Sequence, residues 1–431
     1  MTRPALSSRH YGMPASIDAL RRDHQHGAKK AAAGAGGTYP MLRWKLSPAA
    51  TIMAVFFIQA LSIGGFFARL AEMQQAMHAT PAALGLALLG FDVGTFSAFP
   101  FASKIIERIG TRTTLLFGVP LFSLAVALPS LAPYPSVFFV CSILVAVGFT
   151  FTNIAMNVEA DRVEFGTGRR IMNRCHGLWS LGFFVSSLVG TGAAALNISP
   201  SPHLFGMVPI VLIGALLVVG PMVPLSPRPY SGEARAPRFA MPTVATLMLI
   251  GFALGSIWLE AGMRSWSVIY LRDVFHTENW IATTTLSVAV GAQVIGRLLA
   301  DRWIERYGPV AVAMVLSAIS FVGLGLVVWG VSVPVSLLGF ALVGFGVASS
   351  FPQALSAAAR LGDRPASENV AALSLMNSVV LFLAPPVMGF SASQWGIRAS
   401  FALILPLPLL AVLLARNLAD KPQPAVAAAI P

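Results

Sequence analysis

The chain has 431 residues, of which 56% are hydrophobic and only 11% are charged. A soluble domain carries about 25% charged residues, so this composition excludes an ordinary water-soluble protein. The formal net charge of +12 would suit a nucleic-acid binder, but the placement of the basic residues, taken up below, excludes that reading.

The N-terminal residues 1–45 differ in composition from the rest of the chain. They contain the basic pairs at 21–22 and 29–30 and a low-complexity run at 31–37. This composition predicts a disordered cytoplasmic tail. Met41 stands directly before the first apolar segment and is an alternative translation start to Met1.

Long stretches without a charged residue predict the membrane-spanning part. Three of them, at 113–158, 175–227 and 307–359, are each long enough for two helices and a turn, because one spanning helix needs about 20 apolar residues. With the shorter apolar stretches they predict an all-α membrane protein. Its twelve transmembrane helices are expected at 48–69, 82–103, 112–131, 136–158, 172–196, 203–225, 243–265, 279–299, 308–330, 334–357, 369–391 and 397–416.

The positions of the basic residues predict the orientation. With both termini in the cytoplasm, all but four of the 29 lysines and arginines fall in cytoplasmic segments, and Arg297 is counted among these. The four others are Arg69, Arg264, Arg272 and Arg398. This distribution follows the positive-inside rule. The net positive charge therefore reflects the orientation of the chain in the membrane. The expected partner is the lipid bilayer rather than a nucleic acid, and the predicted location is a bacterial inner membrane.

A repeat indicates that the chain is duplicated. The segment Glu-Arg-Ile-Gly at 107–110 recurs as Glu-Arg-Tyr-Gly at 305–308, an offset of 198 positions. We expect an N-terminal six-helix half at 46–225, a basic cytoplasmic linker at 226–242, a C-terminal six-helix half at 243–416 and a cytoplasmic tail at 417–431. Two pseudo-symmetric halves usually face each other across a substrate path, so transport is the first hypothesis.

The repeated loop resembles the signature of the major facilitator superfamily, roughly Gly-x-x-x-Asp-Arg-x-Gly-Arg-Arg. The first copy is degenerate, with Ser103 and Glu107 in place of Gly and Asp, and the second copy is closer. Segments at 176–182 and 260–273 are similar to the bacterial fucose-permease-like branch, although Ser265 stands where that branch carries an acid. The resemblance implies the major facilitator fold and a monomer.

Helix ends that meet the cytoplasm carry the two copies of the loop motif. An acid there accepts hydrogen bonds from the N-terminus of a neighbouring helix, and this contact must break when the halves rock. We therefore assign gating to Glu107, Arg108, Gly110, Gly296, Asp301 and Arg302. The arginines also serve as positive-inside anchors.

Asp92 is the sharpest single-residue signal. It lies about midway along the second predicted span, with no cation near it in sequence. An ionised carboxylate at the bilayer centre costs several kcal/mol, so Asp92 faces a water-filled cavity, has a partner or is protonated. A carboxyl that gains and loses a proton as access alternates would couple transport to the proton gradient. The alternative is a static, hydrogen-bonded Asp that fixes its helix.

Glu260 is the second intramembrane acid. It is expected in the outer part of the seventh span, four residues before Arg264 and thus on the same helix face. A structural ion pair, a coupling or substrate role, and a solvated interface residue all remain open.

Amides and tryptophans inside the spans could line a cavity. Asn153 and Asn157 share one helix face, and Gln59, Gln293, Gln353 and Asn377 sit inside other spans. Each amide commonly bonds only to a neighbouring helix. As a set, with Trp179 and Trp266 for stacking, they favour a neutral solute such as a sugar or polyol. Trp266 would alternatively belong to the aromatic belt at the membrane interface.

The motifs of competing classes are missing from the sequence. A nucleotide-driven pump needs a Walker loop, yet no Gly-Lys pair occurs, and a zinc protease needs His-Glu-x-x-His, which is also missing. We predict no enzyme, no cofactor and no metal. The leading hypothesis is a proton-coupled secondary transporter that moves a small polar, sugar-like solute by alternating access. Proton-antiport export of drugs or metabolites, and a non-transporting sensor on the same fold, stay open.

Overall fold

The structure, a computed structural model, describes residues 46–226 and 241–419. The predicted tail at 1–45, nearly all of the linker and the chain from 420 onward lie outside the described residues. The described part is helical, without a β-strand. Its twelve membrane-length helices are α1 Pro48–Ala68, α2 Pro81–Ile109, α3 Thr111–Leu131, α4 Pro135–Thr167, α5 Met172–Ala195, α6 Pro200–Val219, α7 Val244–Phe275, α8 Asn279–Tyr307, α9 Pro309–Trp329, α10 Val333–Ala359, α11 Glu368–Trp395 and α12 Ile397–Leu418.

The predicted all-α fold with twelve spans is confirmed, and proline sets several of the helix starts. A proline at the first helical position lacks the N–H that would be unpaired there in any case. Thr80 also caps α2, because its Oγ1 accepts a hydrogen bond from the N–H of Ala83 at 3.2 Å. The prolines that begin helices α1, α2, α4, α6 and α9 are Pro48, Pro81, Pro135, Pro200 and Pro309.

Three helices run well beyond the predicted spans: α4 to Thr167, α7 to Phe275 and α8 to Tyr307. In α4 and α8 the charged residues that follow the predicted span belong to the helix, because Glu and Arg are good helix formers and the backbone hydrogen bonds continue through them. The longer α7 corrects one prediction. Glu260 lies near the middle of that helix and not in its outer part.

The two halves repeat the same backbone. Helix α2 and helix α8 begin and end at positions that differ by the same offset as the sequence repeat, 81 to 279 and 109 to 307. Each helix is followed by a glycine with positive φ. Gly110 has φ 83° and ψ 152°, and Gly308 has φ 81° and ψ 158°.

The hydrophobic core is shared at one end of the bundle and divided at the other. We call the end that holds Ser47 and Leu418 the terminal end, and the opposite one the far end. The largest cluster lies toward the far end and contains Phe66 of the first half together with Trp266 of the second. Toward the terminal end each half has its own cluster, one around residues 52–58 and the other around residues 249–257.

Three of the described helices are interrupted, and α12, which consists of Ile397–Leu403 and Pro406–Leu414 before its last short turn, is one of them. Helix α1 consists of Pro48–Leu61 and Gly64–Ala68, and α10 consists of Val333–Val347 and Ser350–Ala359. An interruption frees backbone carbonyls, which in a membrane must find partners in the protein or in a cavity. The break in α10 bears directly on the site described next.

Candidate functional site

A cavity of about 440 Å³ lies between the two halves and is lined by both. Its lining is mostly apolar and aromatic. The polar side chains on it are Asp92, Thr95, Glu260, Arg264, Ser265, Arg297 and Asn377. Four of these are charged, so the cavity is an apolar space with a few fixed charges, which is the usual form of a small-molecule site.

On the C-terminal wall of the cavity, one carboxylate forms ion pairs with two arginines. Oε1 of Glu260 accepts hydrogen bonds from Nη2 of Arg264 and, at 3.3 Å, from Nη2 of Arg297. The exposed fractions of the three side chains are 20%, 28% and 32%. The pair that helical spacing predicts between Glu260 and Arg264 is therefore present, within a three-residue cluster that carries one excess positive charge.

Arg297 joins this cluster to both the other half and the broken helix. Its Nη1 donates to Ser180 Oγ at 2.9 Å, and its Nε donates to the carbonyl of Ala348 at 3.3 Å, in the break of α10. The assignment of Arg297 to the cytoplasmic set is wrong. Arg297 lies inside the span predicted at 279–299, so the sequence itself indicated an intramembrane arginine.

Arg264 lies beside two aromatic rings that contact each other. Its guanidinium carbon lies 5.9 Å from the ring centre of Trp179 and 5.5 Å from that of Phe183. Its Nε is buried and has no hydrogen-bond partner among the described residues. Arg264, which the sequence places outside the cytoplasmic set, lines the cavity. Cation–π contact with these rings restrains a guanidinium that has unused donor capacity.

Trp179 owes its orientation to a buried hydrogen-bond chain. Its Nε1 donates to Gln59 Oε1 at 2.7 Å, and Gln59 Nε2 donates to Thr152 Oγ1 at 3.2 Å. Gln59 is fully buried. This amide thus supports the aromatic wall and does not itself line the cavity.

Asp92 stands on the N-terminal wall, half-buried among the cavity residues. Its neighbour Thr95 donates its hydroxyl to the carbonyl of Phe91 at 2.9 Å. Within the described ranges, no Lys, Arg or His forms an ion pair with Asp92. The cavity therefore carries an unpaired acid on one wall and a cluster with excess positive charge on the other.

Several predicted residues are not on the cavity wall. Asn157 Nδ2 donates to Asn153 Oδ1 at 2.8 Å, so the two amides bond to each other along one helix. Gln353 Nε2 donates to Ser349 Oγ at 2.8 Å next to the α10 break. Trp266 is fully buried in the shared core, which excludes the interface belt. Of the predicted amides only Asn377 lines the cavity, so the structure does not bring them together as a ring.

All residues assigned to gating except Gly296 lie at the terminal end. Glu107, Arg108, Asp301 and Arg302 are all exposed. Gly296 has a different position, because a Cβ there would lie 2.8 Å from the Cβ of Ala348, so this glycine lets α8 approach α10 closely. The buried acid at the terminal end is instead Glu159, which accepts a hydrogen bond from Thr111 Oγ1 at 2.7 Å. Sequence reasoning missed Glu159 because it lies one residue beyond the predicted span.

At the far end, hydrogen bonds join the two halves. Arg272, which is 9% exposed, donates from Nη1 to the carbonyl of Ala71 at 2.6 Å and from Nη2 to Gln74 Oε1 at 2.8 Å. The N–H of Ala82 donates to Ser393 Oγ at 2.8 Å. Together with the shared core, these contacts close the far end of the cavity.

Twelve apolar spans, two repeated halves and a charged cavity between them define a polytopic membrane protein with the architecture of a transporter. The chain belongs to the Major Facilitator Superfamily, whose family model matches residues 52–380. It is 28% identical over 367 residues to the uncharacterized transporter y4wD of Sinorhizobium fredii, covering 84% of this chain and 96% of that relative.

Solved structures share the fold. The nucleoside transporter NupG superposes with a TM-score of 0.64 at 14% identity, over 86% of this chain and 98% of that one. A variant of the E. coli fucose:proton symporter FucP superposes with a TM-score of 0.57 at 17% identity, over 87% of this chain and 99% of that one. The resemblance to the fucose-permease-like branch is thus confirmed at the level of fold.

Proposed function

We propose that this protein is a secondary active transporter that moves a small polar solute through the central cavity by alternating access, coupled to protons through Asp92. The observation that carries the proposal is the cavity itself, an apolar space at the interface of two repeated halves with an unpaired carboxylate on its wall. Rocking of the halves would expose that carboxylate to each side of the membrane in turn.

The division of the core supports this cycle. The halves share a core and hydrogen bonds at the far end but keep separate cores toward the terminal end. Opening the far end would break the bonds of Arg272 to Ala71 and Gln74. With the termini in the cytoplasm of a bacterial cell, as the basic residues predict, the far end faces away from the cytoplasm.

Proton coupling through Asp92 follows from its surroundings. A carboxylate without an ion-pair partner is costly in an apolar cavity, so the free energy of its ionisation changes with access to water and with the charge of whatever binds nearby. Its protonation state would then depend on which side the cavity faces. Import by symport and export by antiport both use this property, and symport is the direction we propose.

The polar solute is recognised at few groups. A sugar-like solute, as the sequence favoured, would find Asn377, Thr95, Ser265 and the charged residues on the wall. Trp179 lies on the cavity wall and can stack on a solute, whereas Trp266 does not line the cavity. These groups suit a small solute with one strongly polar part.

Proton movement driven by solute tests the proposal. Purified protein would be reconstituted in liposomes that contain a pH-sensitive dye, and solutes of several classes would be added outside. We expect one class to drive proton flux in the wild type and in Asp92→Glu. In Asp92→Asn the flux should be lost while solute exchange persists. Solute binding without any flux in the wild type would indicate a sensor and refute the transporter.

A further inference from the structure

We infer that the solute is a small amphipathic monoanion, whose carboxylate binds Arg264 and which crosses together with one proton on Asp92. This inference rests on the proposed function and adds the charge class of the solute to it. It comes from the charges, the unused donor and the lining of the cavity, which are argued in turn below.

The first argument is the count of charges on each wall. The C-terminal wall holds Glu260, Arg264 and Arg297, and because one carboxylate neutralises only one of two guanidiniums, it keeps one positive charge in excess. The N-terminal wall holds Asp92. The cavity is neutral as a whole when Asp92 is ionised, and it carries one net positive charge when Asp92 is protonated.

The second argument separates the two arginines. Each nitrogen type of Arg297 has a partner: Nη1 bonds to Ser180, Nε to the carbonyl of Ala348 and Nη2 to Glu260. Arg297 is therefore a positioning residue that holds the cluster against the broken helix. Among the described residues, Arg264 bonds to protein through Nη2 alone, and its buried Nε has no partner there.

An unpaired, desolvated donor is costly unless an acceptor reaches it. The guanidinium of Arg264 lies within 6 Å of two ring centres, which restricts the orientation of its remaining N–H groups. A carboxylate matches that planar fork, whereas a neutral hydroxyl matches it poorly. The structure thus favours an anion at Arg264.

The third argument couples the anion to the proton. The other helices packed on α2 near Asp92 contribute to the cavity wall only neutral side chains, such as Phe149 and Asn377. The charges that face Asp92 across the cavity are Glu260, Arg264 and Arg297. A bound anion neutralises the excess positive charge and favours the proton on Asp92, and a proton on Asp92 in turn favours the anion. Binding of the two is mutually favourable by linkage, and their joint movement carries no net charge.

The apolar lining of the cavity indicates the chemistry of the part of the solute that lies beyond its carboxylate. Rings of Phe67, Phe91, Phe149, Trp179, Phe183 and Phe351 face the cavity. They suit an aromatic or aliphatic body attached to the carboxylate. Phenylacetate is a compact probe of this chemistry, and phenylacetamide, phenethylamine and phenylalanine are its neutral, cationic and zwitterionic counterparts.

Binding to the purified full-length protein tests the charge class. We expect phenylacetate and related carboxylates to raise the thermal unfolding midpoint, and the amide and the amine to leave it unchanged. Arg264→Gln should weaken phenylacetate binding by about 100-fold or more, and Arg264→Lys by about 10-fold, because Lys keeps the charge and loses the fork. Arg170→Gln, a change at an exposed loop arginine, should leave binding unchanged.

Several results would overturn the inference. They are equal stabilisation by amide and carboxylate, stabilisation by the amine that depends on Asp92, tighter binding of the zwitterion than of the anion, and no stabilisation by any carboxylate. If Arg264→Gln does not fold, uptake by the wild type decides. Phenylacetate uptake in liposomes should not change when a potassium diffusion potential is imposed, and a dependence on potential would refute the one-proton, one-anion stoichiometry.

The two proposals fail differently. Proton flux that depends on Asp92 but is driven by a neutral sugar would refute the anion and leave the transporter standing. Carboxylate binding at Arg264 without proton flux in the wild type would refute the coupled transporter and the co-transported proton, and would leave only the anion site at Arg264.

Discussion

Substitution of Glu260 by Gln should be much more damaging than substitution of its partner Arg264. Oε1 of Glu260 bonds to both Arg264 and Arg297, so Glu260→Gln removes two ion pairs and leaves two guanidiniums uncompensated. Loss of one partner from a fully buried pair costs about 3–5 kcal/mol. Because 20–32% of these side chains is exposed, we expect roughly 2–3 kcal/mol for Glu260→Gln.

Arg264→Gln should cost less than half of that, because Arg297 still neutralises Glu260 in this variant. The double variant should be more stable than Glu260→Gln alone, since only one positive charge then remains. The assay is the thermal unfolding midpoint of detergent-purified variants, with Glu278→Gln as the control at an exposed acid. If Arg264→Gln is as damaging as Glu260→Gln, the shared carboxylate is not what stabilises the cluster.

Two further changes test the closed end and the aromatic wall. Arg272→Gln removes hydrogen bonds that join the halves at the far end, so a reporter cysteine at Ser265 should react faster with thiol reagents, and an unchanged rate would contradict the role of these bonds. Trp179→Phe keeps a ring beside the guanidinium but leaves buried Gln59 Oε1 unpaired, so stability should fall by about 1–2 kcal/mol with little change in solute affinity. Lost affinity at unchanged stability would contradict this separation.

The fold could be predicted from the sequence because the bilayer constrains the length and the hydrophobicity of each span. Apolar length and the positions of charges predict the twelve spans, and these features hold for any member of this architecture. The boundaries of α4, α7 and α8 were less accessible, since helices continue past the hydrocarbon region without a change in hydropathy that marks their ends.

The site was accessible only in part. Asp92, Glu260, Asn377 and Trp179 line the cavity as their intramembrane positions suggested. Hydropathy does not tell which face of a span meets the cavity, so Asn153 and Asn157 were misplaced, although their four-residue spacing is also what lets them bond to each other.

The duplicated scaffold does not duplicate the charges. The offset of the repeat relates Glu260 to Ser62, Arg264 to Phe66, and Asp92 to Val290. The chemistry is therefore divided between the halves, with the acid on one and the excess positive charge on the other. Rocking one half against the other changes the surroundings of both charges at once, which two identical halves would not provide.

The same duplication predicts that a glycine-to-alanine substitution at the repeated loop lowers the free energy of unfolding by the same amount in both halves. Gly110 and Gly308 have φ near +80° and ψ near 155°, a conformation that L-residues adopt only at about 1–3 kcal/mol, and neither has an atom within 4 Å of an added Cβ. Gly110→Ala and Gly308→Ala should each destabilise by that amount through the backbone alone, and additively in the double variant. Gly192→Ala, within α5 and equally open, should be neutral or stabilising. Unequal unfolding midpoints for the two loop variants would mean that the repeated loops are not equivalent in the folded protein.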